Sequence, residues 1–545
     1  MYYKYEIEKQ QVSYDSGITW IDTYVTRRSS NYVASYDTLS ECETGIVPQY
    51  RTVSGSPYCD GYTKKEDILY QVSYDNGVTW EDVSSSTTIL ELESIDCGAP
   101  MHRTVSGSPY CDGYNKVEDI FYQESYDRGV TWEDVSSSTT VIEYNSTDCG
   151  YSPIDYSTHY LTIESLEDNN TVYFKVSSTG LTKTISASTD GGNTWTAYTS
   201  SSGGSGTTIA TLNSGEKVLL KGVNSSYYSN NNNYSYFLSS KNFNIYGNIM
   251  SLISGDTFAN ANVLTANYAL SRLFWQCSTL ISAENLIMPA TTLTNNCYQN
   301  MFYGCGGLTT ALSVLPATTL ADNCYSNMFA YCTGLTETPQ LPATTLANNC
   351  YSSMFAYCSS LTTTPALPST TLVESCYDSM FYGCTSLTTT SRLSATTMAD
   401  YCYRSMFYGC TSLTTSPALP ATTLAYNCYQ SMFSGCTSLT TAPELPATTL
   451  IYGCYWSMFG NCTSLTTAPE LPATTLANYC YCTMFKGCSS LNSITCLATS
   501  ISASQAIMDW VQGVASSGTF TKAASMNNWS TGTSGIPENW TVQNA

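Results

Sequence analysis

Cysteine is the residue type in this chain whose spacing could do chemistry. The sequence holds 24 cysteines. In CYRSMFYGCTSL, which starts at Cys402, two of them stand eight positions apart, and the pair returns about every 26 residues through 265–495. Paired thiols can form disulfides, bind a metal or attack an electrophile. At about 100° per residue, Cys402, Tyr403, Met406, Phe407, Cys410 and Leu413 share one arc, with Arg404, Tyr408 and Thr411 opposite. The spacing predicts a short helix whose buried stripe contains both cysteines. Positions eight apart on a helix are separated by ~12 Å, and stacked helices lie ~8–10 Å apart. Both exceed the ~7 Å that a disulfide spans. Zinc needs four converging ligands, but the chain has 2 histidines, His102 and His159, both outside the 26-residue repeats. A nucleophilic thiol needs a basic neighbour, and no repeat supplies one. The expectation is therefore reduced, buried cysteine used as a compact apolar residue, with disulfides and metal as the alternatives.

The remaining candidates for chemistry lie upstream. Cys59 and Cys97 fall in one unit of a 52-residue repeat, and Cys111 and Cys149 take the same places in the next. Cys42 matches the second place in a truncated first unit. One cross-link per unit, with Cys42 left over, and five free thiols are both open readings. SYDSGITW, SYDNGVTW, SYDRGVTW and STDGGNTW share the pattern Ser-x-Asp-x-Gly-x-x-Trp. The pattern resembles the Asp-box of sialidases and related β-propellers, and it implies a structural role for Asp15, Gly17, Trp20, Asp75, Gly77, Trp80, Asp127, Gly129, Trp132, Asp190, Gly192 and Trp195. The Asp accepts from turn amides, the Gly takes a left-handed conformation and the Trp packs beneath the hairpin. Sialidase chemistry would need an arginine cluster and a Tyr–Glu pair, and arginine here is scarce and scattered. No Ser-His-Asp set or defensible carboxylate pair is present, so no catalytic residue is assigned. No cofactor is expected, and the one candidate for a metal is calcium at the acidic loop 167–170.

Composition narrows the function classes. Only 11% of the 545 residues are charged and the formal net charge is -22, the opposite of a nucleic-acid footprint. No stretch of 18 apolar residues is available to span a membrane. MYYKYEIEKQQVSYDSG carries no leader-like apolar core, so assembly in a cytoplasm is expected. The 45 tyrosines suit a β-rich extracellular or virion protein.

The elements that position these residues form two repeat systems. Residues 1–155 carry tandem Asp-box-like β-modules, and 156–248 read as a β-sandwich with strand-like YLTIESL, TVYFKVSS, TKTISAST, EKVLLKGV and NFNIYGNI. Residues 249–496 hold the 26-residue repeats, and 497–545 lose the period and form a cap with Trp510, Trp529 and Trp540. One helix followed by one short strand and an extended return gives a leucine-rich-repeat coil. The fold class expected is mixed and repeat-dominated: β-modules and a sandwich, then an α/β solenoid. Nine coils at ~4.8 Å each span roughly 40–50 Å.

Two columns of the repeat vary freely on the outward side: Gln299, Ser326, Ser352, Asp378, Arg404, Gln430, Trp456, Cys482, and Tyr303, Ala330, Ala356, Tyr382, Tyr408, Ser434, Gly460, Lys486. Neutral variation on a solvated surface is one reading. The other is a binding face with Tyr303, Tyr382, Arg404, Tyr408 and Trp456 as contacts, rings among polar neighbours suiting sugar or protein.

The unit CYxSMFxGCTSLTTxPxLPATTL resembles the BspA-type leucine-rich repeat of bacterial surface adhesins in Bacteroidetes and of their phages. With QVSYDNGVTWEDV, KVSSTGLTKTISASTDGGNTW, NFNIYGNIMSLISGD and the tail GTFTKAASMNNWSTGTSGIPENWTVQNA, most of the chain is similar to fibre or receptor-binding proteins of crAss-like and other Bacteroides phages. That resemblance implies a non-enzymatic virion appendage, assembled in the host cytoplasm, often oligomeric (a trimer among the options), that binds other virion proteins and a glycan or protein on the host surface. The alternatives are a surface-anchored or secreted bacterial adhesin, a purely architectural virion component and a glycan depolymerase.

Overall fold

The computed structural model describes residues 5–12, 21–28, 49–54, 56–60, 63–73, 79–91, 101–112, 115–126, 131–143, 155–177, 182–202, 206–230 and 233–545. The chain divides into two compact units, Met1–Pro153 and Ile154–Ala545.

In the first unit, β1 (Tyr5–Val12) and β2 (Ile21–Arg28) make an antiparallel pair. Two four-stranded sheets follow, one per 52-residue unit. In the first, β5 (Thr63–Ser73) pairs along its length with β6 (Glu81–Glu91). Its other edge is shared by β3 (Gln49–Ser54) and the short β4 (Tyr58–Asp60). The second repeats this with β7 (Met101–Ser106), β8 (Tyr110–Asp112), β9 (Asn115–Ser125) and β10 (Glu133–Glu143). The side chains repeat too. Arg51 lies 4.2 Å over the Trp80 ring and donates to Gln71, which donates to Asp82. Arg103, Trp132, Gln123 and Asp134 do the same, with the arginine at 4.1 Å. Cys59 and Cys111 are disulfide-bonded; Cys42, Cys97 and Cys149 lie outside the described residues.

The second unit opens with two sheets sharing one core. One runs β14 (Thr196–Thr199), β13 (Thr184–Ser188), β16 (Lys217–Lys221), β11 (Leu161–Ser165), β19 (Phe243–Asn248), β20 (Leu280–Ser282), with β21 (Leu286–Ile287) also on β19. The other runs β15 (Thr207–Leu212), β12 (Asn170–Val176), β18 (Asn233–Ser239), β17 (Tyr228–Asn230). Alternation sends Val172, Phe174 and Val176 of β12 inward, against Leu161 and Ile163, all essentially sealed from solvent. β19 pairs in parallel with β20 and β21, so this sheet continues into the first repeat and one core runs through both.

The helices expected around the cysteine pairs are not there. Between Ala321 and Tyr331 every second amide bonds three residues back: Cys324 to Ala321, Ser326 to Asn323, Met328 to Tyr325, Ala330 to Asn327. The amides between reach the next repeat: Tyr325 to Cys350, Asn327 to Ser352, Phe329 to Met354, Tyr331 to Ala356. An α-helix would bond every amide four residues back. This segment is instead a row of tight turns, each closed by a left-handed residue four positions on: Asn323, Asn327 and Tyr331, with φ of 55°, 55° and 62°. Buried pairs at a period of 4 lie so near the helical 3.6 that three turns cannot separate them. The cue that distinguishes them is Asn or Gly at four-residue spacing, as in Asn296, Asn300 and Gly304, because these types adopt the left-handed conformation most readily.

The expected strand is reduced to single parallel bridges between repeats, such as Thr363 to Thr389, Thr415 to Thr441 and Thr397 to Thr423. The result is β-rich and repeat-dominated, with very little helix; α1 (Ser251–Ser254) is one turn long. Inside, Phe274 to Phe485 stack ring on ring at 5.3–5.8 Å. A second inner ladder runs from Tyr298 to Tyr481 at 5.6–6.1 Å. All cysteines from Cys277 to Cys496 are free and buried. The second of each pair is more than an apolar filler: its thiol donates to the Phe carbonyl one repeat back, from Cys305 to Phe274 (3.0 Å) through Cys488 to Phe459 (2.9 Å).

The tail keeps the pattern further than its sequence suggests. Gln505, Asp509 and Gly513 are left-handed at the same spacing, and amides of Tyr481, Thr483 and Phe485 bond to carbonyls of 506, 508 and 510. Trp510 ends the inner ladders and is fully buried, donating to the Gly535 carbonyl at 2.8 Å. The parallel strands β22 (Ser493–Cys496), β23 (Thr519–Lys522) and β24 (Thr541–Asn544) close the stack.

Candidate binding face

Two of every four residues in a turn row point inward, and the other two face out. Each repeat therefore presents three outward pairs: 400/401, 404/405 and 408/409 in the repeat of Cys402. Stacking aligns them into three outward double columns.

The column of 408 holds a continuous ladder of tyrosines. Tyr303, Tyr331, Tyr357, Tyr382 and Tyr408 follow one another at centroid spacings of 5.2, 4.5, 5.2 and 4.6 Å. Tyr303, Tyr382 and Tyr408 are expected contacts; Tyr331 and Tyr357 escape a reading by columns because they sit one position later, where the other repeats carry Gly304, Gly383 and Gly409. The chain reads Phe-Tyr-Gly-Cys from Phe302, Phe381 and Phe407, and Phe-Ala-Tyr-Cys from Phe329 and Phe355. A residue in the left-handed position leans over the next repeat, so Tyr357 lies across Gly383, where a methyl group would meet its Cδ1 at 2.8 Å. Ring faces inside the ladder are covered by neighbouring rings. Edges and hydroxyls reach solvent, Tyr331 and Tyr357 being the most exposed, at 42% and 38%. Burial, then the neighbouring phenols of Tyr357 and Tyr408, push Tyr382 up to about 12. Beyond Tyr408 the next repeat has Ser434 and Gly435 in these places, so no further ring covers that end of the ladder.

The column of 401 carries a second ladder, offset along the stack: Tyr401, Tyr426, Tyr452 and Tyr479 at 5.4, 4.7 and 5.1 Å, with Trp456 against Tyr479 at 5.5 Å. It again switches between adjacent positions, Tyr401 and Tyr479 being left-handed with φ of 57° and 58°. Between the two lies Arg404. Its Nε donates to Asp378 Oδ1 at 3.1 Å and its Nη2 to Oδ2, joining adjacent repeats, and its guanidinium sits 4.8 Å from the Tyr401 ring centre. Arg404 is therefore a strut before it is a contact. The structure brings Tyr382, Arg404 and Tyr408 together on neighbouring repeats, joins Tyr303 to them through the two missed tyrosines, and places Trp456 in the other ladder.

The Asp-box is described in full at its fourth copy. Asp190 accepts from Ser188 Oγ, Thr194 N and Thr194 Oγ1 at 2.6–2.9 Å, and these bonds hold its carboxyl far below the usual range. Gly192 is left-handed (φ 94°) and its carbonyl accepts from Trp195 Nε1. The Trp195 ring packs against Tyr160 and under Lys221 at 4.9 and 4.1 Å. Asp15, Gly17, Trp20, Asp75, Gly77, Asp127 and Gly129 lie outside the described residues. At 167–170 the polar groups are used internally: Asp168 Oδ1 accepts from Ser214 N, Glu167 Oε1 from Asn242 N, and Asn170 is buried. Among the described residues no three His, Cys, Asp or Glu side chains converge as a metal site, and no helix is long and apolar enough to cross a membrane.

The buried thiols are poor nucleophiles. Burial pushes Cys277 up to about 11 and Cys297 and Cys376 to about 12. No protein-family profile, curated protein or solved structure matches the chain.

Proposed function

We propose that this chain is a non-enzymatic adhesion protein whose outward tyrosine ladders hold a glycan or protein on a bacterial surface, as a virion appendage. The repeats act as a leucine-rich-repeat solenoid in which rows of turns replace the helices of an α/β coil. One observation carries the adhesion reading. Tyr331, Tyr357, Tyr401 and Tyr479 occupy left-handed backbone that costs a bulky residue roughly 1–2 kcal/mol. Glycine or asparagine fills the same places elsewhere in the stack, so the core does not require those tyrosines. A strained aromatic residue held on a surface points to a contact. Many weak contacts on one particle would add by multivalency.

The placement in a virion rests on the resemblance of the modules. The disulfide bonds at Cys59 and Cys111 favour a second setting, an exported cell-surface adhesin, because disulfides persist in oxidising compartments. Both settings predict binding of the purified chain to intact Bacteroidetes cells. Loss of binding after periodate treatment of the cells would identify a glycan receptor, and persistence a protein receptor. Absence of binding to any such cells would refute adhesion and leave an architectural role.

A further inference from the structure

Strand register assembles a second set of polar groups on the outer face of the β16–β11–β19–β20 sheet. Lys217 pairs with Glu164, Glu164 with Asn244, and Asn244 with Ser282, so these four side chains form one row across four strands. Tyr246 lies two residues further along β19, on the same face. The turn before β11 brings Tyr156 over the row, edge-on to Tyr246 at 5.2 Å, with His159 against Tyr156 at 5.4 Å. Glu284 and Asn285, after β20, close the far side. Together they line a half-open cleft of about 300 Å³, at the small end of the ~300–1,000 Å³ of small-molecule sites.

Its chemistry is specific. Asn244 Oδ1 is buried and has no hydrogen-bond partner. A buried acceptor left unpaired is costly, and a ligand donor would satisfy it. Lys217 stands 5.5 Å from the Tyr246 ring centre and 3.8 Å from Glu164. One ammonium against two carboxylates disfavours an anion. Amide, carboxylate and ammonium groups side by side suit a hydroxyl, which donates and accepts, and two tyrosine rings suit the apolar face of a pyranose.

We propose that this cleft is a carbohydrate site taking one neutral sugar ring, separate from the tyrosine ladders and made of different residues. The test is saturation-transfer NMR on the full chain with glucose, galactose, mannose and N-acetylglucosamine, and N-acetylneuraminic acid as the anionic control. At least one neutral sugar should receive saturation and the anion should not. Asn244→Leu removes the unpaired acceptor at similar volume, so it should weaken binding at least tenfold while Tm stays level or rises. Lys217→Met should also weaken it. The proposal is overturned if no neutral sugar is saturated, if the anion is preferred, if Asn244→Leu binds as the parent does, or if that variant loses binding together with Tm. Because the ladders are untouched by these variants, failure here leaves the adhesion reading to be judged by its own assay.

Discussion

Raising the pH should unfold the repeat stack abruptly, and the cysteines set where. All nineteen thiols from Cys277 to Cys496 are buried, and burial raises each above its ordinary value, Cys384 and Cys436 to about 12. A thiol in the unfolded chain ionises near ~8.5. The folded values are the higher ones, so the stabilising contribution is complete below that pH and is lost as pH rises above it. One pH unit above the unfolded value, each strongly shifted thiol has withdrawn about 1.4 kcal/mol, and the eighteen besides Cys482 together roughly 25 kcal/mol. At ~0.05–0.15 kcal/mol per residue, a unit of this size holds on the order of 20–60 kcal/mol. The two meet between about pH 9 and 11. The buried tyrosines, raised well above 10 by burial, steepen the loss from there. Far-UV circular dichroism against pH measures it. Replacing Cys384, Cys410, Cys436 and Cys462 by Val should move the midpoint upward although it removes four thiol hydrogen bonds. A native spectrum at pH 11, or a midpoint indifferent to those replacements, would refute the reasoning.

Three further outcomes follow from the packing. Gly383→Ala should cost more than Gly409→Ala: both are left-handed (φ 71° and 70°), but the new methyl meets Tyr357 at 2.8 Å in one and nothing nearer than 3.8 Å in the other. The excess, ~1–3 kcal/mol of overpacking, should vanish in a Tyr357→Ala background when urea midpoints are compared. Tyr429→Phe should be neutral or stabilising by about 1 kcal/mol in the same assay, since its hydroxyl is buried without a partner. Iodoacetamide at pH 8 should label none of the nineteen thiols in the native chain within minutes and all of them in urea, read by mass spectrometry.

The period of 26 and the inward stripe of Cys, Tyr, Met and Phe can be read from residue order alone, because repetition displays the same pattern nine times. The backbone that carries the stripe cannot be read by wheel geometry. Cys324, Tyr325, Met328, Phe329 and Cys332 fit a helix as well as a row of four-residue turns over so short a span. What decides between them is the supply of partners from the next repeat: half the amides bond there, as Phe329 does to Met354. The outer ladder is half legible for a related reason. Tyr303, Tyr382 and Tyr408 share a column, whereas Tyr331 and Tyr357 join it only because a left-handed residue leans across the repeat boundary. The cleft is illegible in sequence: Tyr156, Lys217, Asn244 and Glu284 meet only through strand register.

The most direct test of the account is cell adsorption of the ladder variant Tyr357→Ala, Tyr382→Ala, Tyr408→Ala beside the parent chain, with the alkaline midpoint as the control for folding. The account predicts at least a tenfold drop in bound protein at an unchanged midpoint. Equal binding by the folded variant would contradict it and remove the tyrosine ladder from the binding face.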